Sequence, residues 1–474
     1  MGIKLYFTRL WLMFVFISFS LGLSVSSQAA LQCHELFPDE KQTVTAPPAQ
    51  MSEAVPAPEK MSSVAEDSTE ADDSDLSKNE QLALDLGLTY LKAPVPAGYR
   101  REIISTRTYT KKDGTPGKVL NYYRYYRPDG TVIRPRLQAD EYNAIRERFK
   151  SVGVAPTWKD VWLSTDENTH IRVLAKDALG TRIAIYHPDW SAGSKDAKYK
   201  RVQKFGESVS SLRKQFHAHL ADPELSPSSL ERVGSTAYLL LMSGRIRLGS
   251  RKYLEQNGTV GTATLQKKNV IVDESGRVFL HYFAKAALYT EIEISDPLLK
   301  QEILALKEAH PENPNLLVFE GKSGLQTLSE SYLNENLRRL VANISPNSKN
   351  KFTIKDFRTW AATVKTVEEL LRAGPPPQEL PKRDYVLSVV AKRVSYLLNN
   401  EPGTARTSYI DPRLLNPDSS MDLWNFAMNN YPVLAQIAAH NPNTAESKML
   451  DEKFDTNYEA VALAYLNSLA DLKQ

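Results

Sequence analysis

A change in the spacing of apolar residues near residue 205 most constrains the fold of this 474-residue chain. Between about residues 85 and 205, apolar and polar side chains alternate, as they do in half-buried strands. From about residue 206 onward, apolar residues recur every three or four positions, as on the buried face of a helix. The pattern therefore predicts an α+β protein, in which a small β-rich domain (residues 85–205) precedes a mainly helical domain (residues 206–412).

Within the β-rich domain, residues 119–133 alternate tyrosine and arginine up to a Pro-Asp-Gly turn, which predicts a hairpin. One short helix and three further strands are predicted there, at residues 140–150, 157–164, 170–177 and 181–187. The helical domain contains an insert of predicted strands at 258–284, with the sequences GTATL and VIVDESGRVFLHYF. Residues 413–474 predict a helical C-terminal extension that packs on the helical domain.

The first thirty residues have the pattern of a signal peptide. Lys4 and Arg9 precede a 16-residue apolar run at 10–25, and small residues suit cleavage after Ala29. An uncleaved anchor is the alternative, although the run is short for a spanning helix. We therefore expect export, to the periplasm or the medium, with no stable membrane partner once the leader is cleaved. If the leader does not function, we expect a cytoplasmic protein.

Residues 31–84 predict a disordered acidic linker. Residues 34–80 contain 12 acidic residues and 3 lysines and almost no aromatic residues. Such a composition cannot bury enough apolar surface to offset the entropy of the chain. Cys33 is the only cysteine, so no internal disulfide can form.

The charge of the chain is distributed unevenly. The formal net charge is +3, but residues 81–412 alone carry +14 because the acidic linker and the C-terminal extension are negative. A body this basic indicates a polyanionic partner, and nucleic acid is the commonest one. A basic surface that serves solubility alone is the other interpretation.

The stretch from Leu398 to Arg413, LNNEPGTARTSYIDPR, carries a candidate nucleophile, Tyr409. A phenol with a pKa near 10 attacks a phosphodiester at neutral pH only if cationic groups stabilise the developing charge. The sequence offers such groups in three motifs. They are Arg247 in GRIRLGSRKYLEQNGTVGTATL, Lys285 in FLHYFAK, and Arg358 in FTIKDFRTWAAT, where Lys355 lies one helical turn earlier.

In this order and spacing, the motifs resemble those of the type IB DNA topoisomerases of the bacterial and poxvirus branch. The resemblance covers roughly residues 118–413, and it includes blocks of the β-rich domain at 126–130, 156–162, 177–180 and 186–188. It implies that the β-rich domain clamps DNA and that the helical domain, residues 206–412, is catalytic.

The resemblance also implies a role for each site residue. Tyr409 would form a 3′-phosphotyrosyl link, and Arg247 and Arg358 would stabilise the pentavalent transition state. Lys285 would protonate the leaving 5′-oxygen. Asn400, nine residues before Tyr409, would donate a hydrogen bond to a non-bridging oxygen. Here Ala284 stands where the family usually has glycine before this lysine, which predicts a stiffer hairpin.

A second group of residues is expected to bind the DNA backbone. Basic side chains interleaved with aromatic ones suit a sugar-phosphate surface, although a buried aromatic core with arginines on its wet face would have the same pattern. The expected DNA contacts are Arg124, Tyr126, Arg182, Tyr186 and Lys355. Strong sequence preference is not expected, because Ile183 and Ala184 stand where poxvirus relatives read bases with a Gln-Tyr pair.

The resemblance thus implies a monomeric enzyme that relaxes supercoiled double-stranded DNA without ATP, metal or other cofactor. A tyrosine recombinase shares this chemistry, but Arg358 lies 51 residues before Tyr409 and a β-rich domain precedes the helices, which favour a topoisomerase. A non-catalytic exported DNA-binding protein is a further alternative.

Overall fold

The computed structural model describes residues 77–346, 351–432 and 458–471. The predicted signal peptide, Cys33 and most of the predicted linker lie outside these residues. The linker prediction is wrong for its last residues, because helix α1 spans Lys78–Asp85. Ser77 and Glu80 form a capping box at its start, and Ala83 packs with Leu88 and Trp190, so local and tertiary contacts both favour a helix.

A six-stranded antiparallel sheet forms the β-rich domain, with strand order β3-β2-β1-β4-β5-β6. Its elements are β1 Tyr99–Thr110, β2 Pro116–Tyr126, β3 Val132–Ile133, α2 Ala139–Ser151, β4 Lys159–Leu163, β5 Ile171–Lys176 and β6 Arg182–Tyr186. Helix α2 packs on one face through Ile145 and Phe149, which lie against Tyr125 and Val161. The predicted hairpin, helix and three strands are confirmed, whereas the length of β1 was not predicted.

The helix that follows the sheet contributes residues to two separate apolar clusters. Helix α3 spans Pro188–Ala221, and its first residues contribute Trp190 to the cluster around α1. Farther along, Phe205 and Phe216 are buried in the core of the helical domain. The domain boundary predicted at residue 205 therefore falls inside one 34-residue helix.

The helical domain surrounds one large apolar core. Its helices are α4 Leu230–Met242, α5 Arg251–Asn257, α6 Pro297–Glu308, α7 Glu330–Ile344, α8 Ile354–Arg372, α9 Leu380–Leu398 and α10 Pro402–Ser408. Helix α8 lies within this core, and Phe357, Trp360 and Val367 on it are almost fully buried. The predicted α+β fold class is confirmed.

The strand insert differs in part from its prediction. A three-stranded sheet contains β7 Val270–Val272, β8 Val278–Ala284 and β9 Leu288–Glu293, in that order. The strand predicted at GTATL is wrong: residues Thr262–Thr264 form a 3-10 turn. The hydroxyl of Thr264 accepts a hydrogen bond from the amide of Gly261 at 3.0 Å and so closes the turn locally.

The remaining elements complete the domain. Strands β10 Val318–Gly321 and β11 Gly324–Thr327 form a hairpin with Lys322 in its turn. Helices α11 Pro417–Asn430 and α12 Tyr458–Asp471 pack against the core. Residues 433–457 and 472–474 of the predicted C-terminal extension lie outside the described residues. Across the described ranges, no helix has both the length and the apolar character that crossing a membrane requires.

Candidate active site

Two backbone hydrogen bonds fix the position of Tyr409. It ends the short helix α10, where its amide and that of Ile410 both donate to the carbonyl of Ala405 at 3.0 Å. Ala405 and Ile410 are fully buried, whereas the side chain of Tyr409 is only partly buried. Two anchors in the core thus fix the backbone while the phenol remains accessible to a ligand.

Arg358 contacts the tyrosine from α8. A capping box of Thr353 and Asp356 begins this helix and places Arg358 one turn inside it. The guanidinium donates to the carbonyls of Gly244, at 2.7 Å, and Leu398, and it lies 5.2 Å from the ring centre of Tyr409. Burial and the nearby charge of Arg247 lower the pKa of Arg358 to about 10. The group therefore stays cationic at neutral pH.

A backbone crossing positions Arg247 in the loop between α4 and α5. Gly249 has φ of +75°, and a Cβ added at Gly261 would lie 2.6 Å from the carbonyl oxygen of Arg247. Only glycine permits this approach, which lets the amide of Thr262 donate to that carbonyl at 2.8 Å. The guanidinium of Arg247 then reaches Asn400 and donates to its side-chain oxygen Oδ1.

Asn400 follows the end of α9. Asn399, rather than Asn400, takes the left-handed position that ends the helix, with φ of 46°. The side chain of Asn399 donates to Thr290 on β9 at 2.6 Å, while Asn400 faces Arg247. Because arginine can only donate, the amide of Asn400 is oriented with its oxygen on Arg247, and its Nδ2 donor is left for another acceptor.

Tyr282 on β8 belongs to the same cluster, although its sequence context did not predict it. Burial raises the pKa of Tyr282, and the charges of Arg358 and Arg247 oppose this effect. Three buried polar atoms in this cluster have no hydrogen-bond partner within the described part of the chain. They are the Tyr282 hydroxyl, Arg358 Nε and Asn400 Nδ2.

Lys285 is not brought to this cluster. It lies at the tip of the β8–β9 hairpin, it is exposed, and among the described residues its ammonium has no partner. Ala286 and Ala287 after it have φ of 66° and 54°, a region that alanine rarely adopts. The tip is therefore a strained, tight turn that presents Lys285 to the solvent.

Lys198 on α3 is a second residue that the sequence did not indicate. Its ammonium donates to the carbonyl of Ser408 at 2.5 Å and lies 5.8 Å from the ring centre of Tyr409. Burial lowers the pKa of Lys198. A cation from outside all the predicted motifs thus contacts the backbone directly before Tyr409.

The expected DNA contacts of the β-rich domain share one surface. Arg124 and Tyr126 on β2, and Arg182 and Tyr186 on β6, point away from α2 by the alternation of their strands. We call this side of the sheet the basic face. Tyr126 is not entirely free, because its hydroxyl donates to Glu102 and Arg100 stacks on its ring at 4.9 Å.

Lys355, the fifth expected DNA contact, is exposed in the first turn of α8. It precedes Arg358 by one helical turn. A phosphate bound at Arg358 would therefore lie about one turn of α8 away from Lys355.

Comparisons with known proteins bear on the helical domain. Residues 189–414 match the family model of the catalytic core of eukaryotic DNA topoisomerase I. The chain is also 27% identical over 225 residues to a protein named DNA topoisomerase 1B from Acanthamoeba polyphaga mimivirus, which covers 48% of this chain and 65% of that relative. The resemblance to type IB topoisomerases that the motifs predicted is thereby confirmed.

A second relative has an unrelated name. An indole-3-glycerol phosphate synthase from Geobacillus thermodenitrificans is 27% identical over 177 residues, or 37% of this chain and 60% of its own. The chain therefore spans less than two thirds of either relative. The family model agrees with the name of the first relative and not with that of the second.

Proposed function

We propose that this chain, whose residues 189–414 match a topoisomerase catalytic core, is a monomeric type IB DNA topoisomerase. It would cleave one strand of double-stranded DNA through Tyr409, let the free end rotate, and reseal the strand without ATP or metal. Positive and negative supercoils would both be relaxed.

The donors in the cluster around Tyr409 that have no partner among the described residues carry this proposal. A buried polar atom without a partner costs about 1–3 kcal/mol, so three of them in one cluster indicate a ligand that accepts hydrogen bonds. The donors are Tyr282, Arg358 and Asn400, and Arg247 adds a second guanidinium. A phosphodiester bound at this cluster would offer acceptors to these donors, because its non-bridging oxygens accept hydrogen bonds and carry the negative charge.

The roles proposed for the residues are those that the resemblance implies, and the positions of Tyr409, Arg358, Arg247 and Asn400 support them. The phenol oxygen of Tyr409 would attack the phosphorus and lose its proton to solvent, while the bond from phosphorus to the 5′-oxygen breaks. Arg358 and Arg247 would stabilise the charge that develops on the phosphate, and Nδ2 of Asn400 would donate to a non-bridging oxygen.

Proton delivery to the leaving oxygen would come from Lys285. Because this residue lies at an exposed hairpin tip, DNA must bind against the tip before the ammonium can reach the 5′-oxygen. Religation is the same path in reverse: the 5′-hydroxyl attacks the phosphotyrosine and returns its proton to Lys285.

Relaxation of a supercoiled plasmid in EDTA without ATP tests the proposal. We expect wild-type protein to relax the plasmid and to leave a covalent protein–DNA adduct when the reaction is stopped with detergent. Tyr409→Phe should abolish both while DNA binding persists. An active Tyr409→Phe variant would refute the assignment, strand exchange between two specific sites would favour a recombinase, and binding without cleavage by wild type would favour a non-catalytic protein.

The place of action is proposed from the first thirty residues alone. We expect the leader to direct export, so that the enzyme acts on DNA outside the cytoplasm. Cell fractionation, with the mass of the mature N-terminus, measures this directly. A full-length product in the cytoplasmic fraction would contradict it.

A further inference from the structure

The first two strands of the β-rich domain extend beyond the rest of its sheet. Strands β1 and β2 pair along their whole length, from Arg100 with Tyr126 to Thr110 with Pro116. In contrast, β4 pairs only with residues 99–101 of β1, and β3 only with residues 125–126 of β2. Among the described residues, the strands between Ile103 and Tyr123 therefore have no other strand beside them. We call residues 104–122 the ribbon.

Side-chain bonds hold only the base of the ribbon. Thr106 donates to Asn121 across the strands at 2.8 Å, and Asn121 donates to the carbonyl of Pro156 at 2.9 Å. Beyond this pair, four to five residues of each strand lead to the turn at 111–115. At about 3.3 Å per residue, the outer ribbon projects roughly 15 Å past its last anchor.

The outer ribbon is exposed, basic and aromatic. Arg107, Lys111 and Lys112 are exposed, and its one acidic residue, Asp113, is occupied in the turn, where it accepts bonds from the amide and hydroxyl of Thr115. Tyr109 is 43% exposed and stacks with Arg107 at 5.1 Å. No apolar core holds these side chains, so packing does not explain them.

A β-bulge turns Arg107 and Tyr109 toward the basic face. Ile103 pairs with Tyr123 but Ser105 pairs with Tyr122, which leaves Ile104 as an extra residue. The extra residue inverts the alternation of β1, so that Arg107, opposite Leu120, points to the same side as Arg124. Without the bulge, Arg107 and Tyr109 would point to the side of α2.

We propose that the ribbon is an additional DNA-binding element, which grips the duplex beyond the reach of the six-stranded part of the sheet. A two-stranded ribbon fits the major groove, and its guanidinium, ammonium and tyrosine groups suit phosphates and sugars. This inference rests on the proposed function, because it assumes duplex DNA on the basic face. The acidic residues 34–80 are a rival occupant; the continuity of the ribbon with the basic face favours DNA.

The test compares two triple variants of the full chain, both with Tyr409→Phe to prevent cleavage. One removes the ribbon charges through Arg107→Ser, Lys111→Ser and Lys112→Ser. The matched control removes three exposed lysines that lie outside the six-stranded sheet, on α2, in the β10–β11 turn and on α9, through Lys150→Ser, Lys322→Ser and Lys382→Ser. Affinity for a duplex of 40 base pairs is measured against salt concentration, and hydroxyl-radical footprints are recorded.

We expect the ribbon variant to lower the slope of log affinity against log salt by about two to three, and affinity near 0.15 M salt at least roughly tenfold. Its footprint should shorten at one end by about four base pairs, since each base pair rises about 3.4 Å. The control should retain the parental slope and footprint.

Unchanged slope and footprint would overturn the inference. Tighter DNA binding by the ribbon variant would also overturn it, because that result indicates that the ribbon holds the acidic residues 34–80. Failure of the proposed function is seen separately, as wild-type protein that binds DNA but leaves supercoiled plasmid unrelaxed.

Discussion

Lys198 and Ser408 are joined by a hydrogen bond across 210 positions of the chain, with the lysine Nζ 2.5 Å from the serine carbonyl oxygen. The bond fastens the long helix α3 to the residue directly before Tyr409. Since the same ammonium lies over the ring of Tyr409, Lys198 restrains both the backbone and the phenol. We therefore assign it as a positioning residue for the nucleophile.

Lys198→Met should slow strand cleavage by about 10- to 100-fold, because small misplacements of a nucleophile have effects of this size. The defect should lie in the cleavage rate at saturating DNA, with little change in DNA affinity. Lys198→Arg should recover part of the rate, since it can still donate to the carbonyl. Lys200→Met, at an exposed lysine paired with Asp196, is the control. A wild-type cleavage rate for Lys198→Met would refute the positioning role.

Arg358→Lys should make relaxation depend on pH. The pKa of Arg358 is lowered to about 10 by burial and by Arg247, which leaves the wild-type group charged up to mildly alkaline pH. A lysine starts from an ordinary pKa of about 10.4, and the same burial and the same neighbouring charge must lower it further. As pH rises, the lysine of the variant therefore loses its positive charge over a range in which the wild-type arginine remains charged.

Relaxation rates measured from about pH 7 to about pH 9 check this expectation. At pH 7 the variant should be slower by roughly 100-fold, because a lysine cannot supply the planar set of donors. The deficit should widen with pH. Arg245→Lys, at an exposed arginine two residues before Arg247, should follow the wild-type profile. A constant ratio of rates across the range would contradict the argument.

Lys285→Ala should slow cleavage of ordinary DNA by about 100- to 10,000-fold, the usual effect of losing a general acid. Lys285→Ala should cleave a second duplex, with sulfur in place of the bridging 5′-oxygen at the scissile phosphate, nearly as fast as the wild type cleaves it. A thiol has a pKa near 8.5, so a thiolate leaves without a proton. Lys322→Ala in the β10–β11 turn should affect neither substrate. An equal defect on both substrates would exclude Lys285 as the proton donor.

The sequence was informative wherever chemistry is encoded in a local motif. Arg247, Arg358, Asn400 and Tyr409 each lie in a distinctive stretch, and the structure brings all four together. Lys285 also lies in such a stretch, but the structure leaves it exposed at the tip of the β8–β9 hairpin, apart from the other four. The roles of all five remain predictions until they are measured.

Residues that act through distant contacts were not predictable. Lys198 lies among other lysines in a segment that resembles a solvated helix face, and only the fold brings it to Ser408. Tyr282 alternates with its neighbours as any core tyrosine of a strand does. The length of the ribbon was not predictable either. Its strands have no buried face, so the alternation of apolar and polar residues that indicates a strand is absent there.

The stability of the site should depend on an ion-pair network between α8, which carries Arg358, and α9, which leads to Asn400. Glu369 on α8 is 7% exposed and accepts from Lys365 at 2.9 Å and from Arg393 on α9 at 2.8 Å. Burial acts to raise the pKa of Glu369, but the bonds from Arg393 and Lys365 outweigh it, and the pKa lies below its ordinary value. Glu369→Gln should therefore destabilise the fold at neutral pH, by about 1–3 kcal/mol.

The pH dependence of this loss follows from the direction of the shift. A carboxyl whose pKa is lowered on folding stabilises the folded state fully above its unfolded pKa, here about 4.5, and this contribution disappears as pH falls through the lower folded value. The difference in unfolding free energy between wild type and Glu369→Gln, measured by urea denaturation, should be large at about pH 7 and shrink steadily below about pH 4.5. Glu379→Gln, at an exposed pair with Lys382, should change stability little at either pH. An equal loss for Glu369→Gln at both pH values would mean that packing, rather than charge, accounts for the role of Glu369.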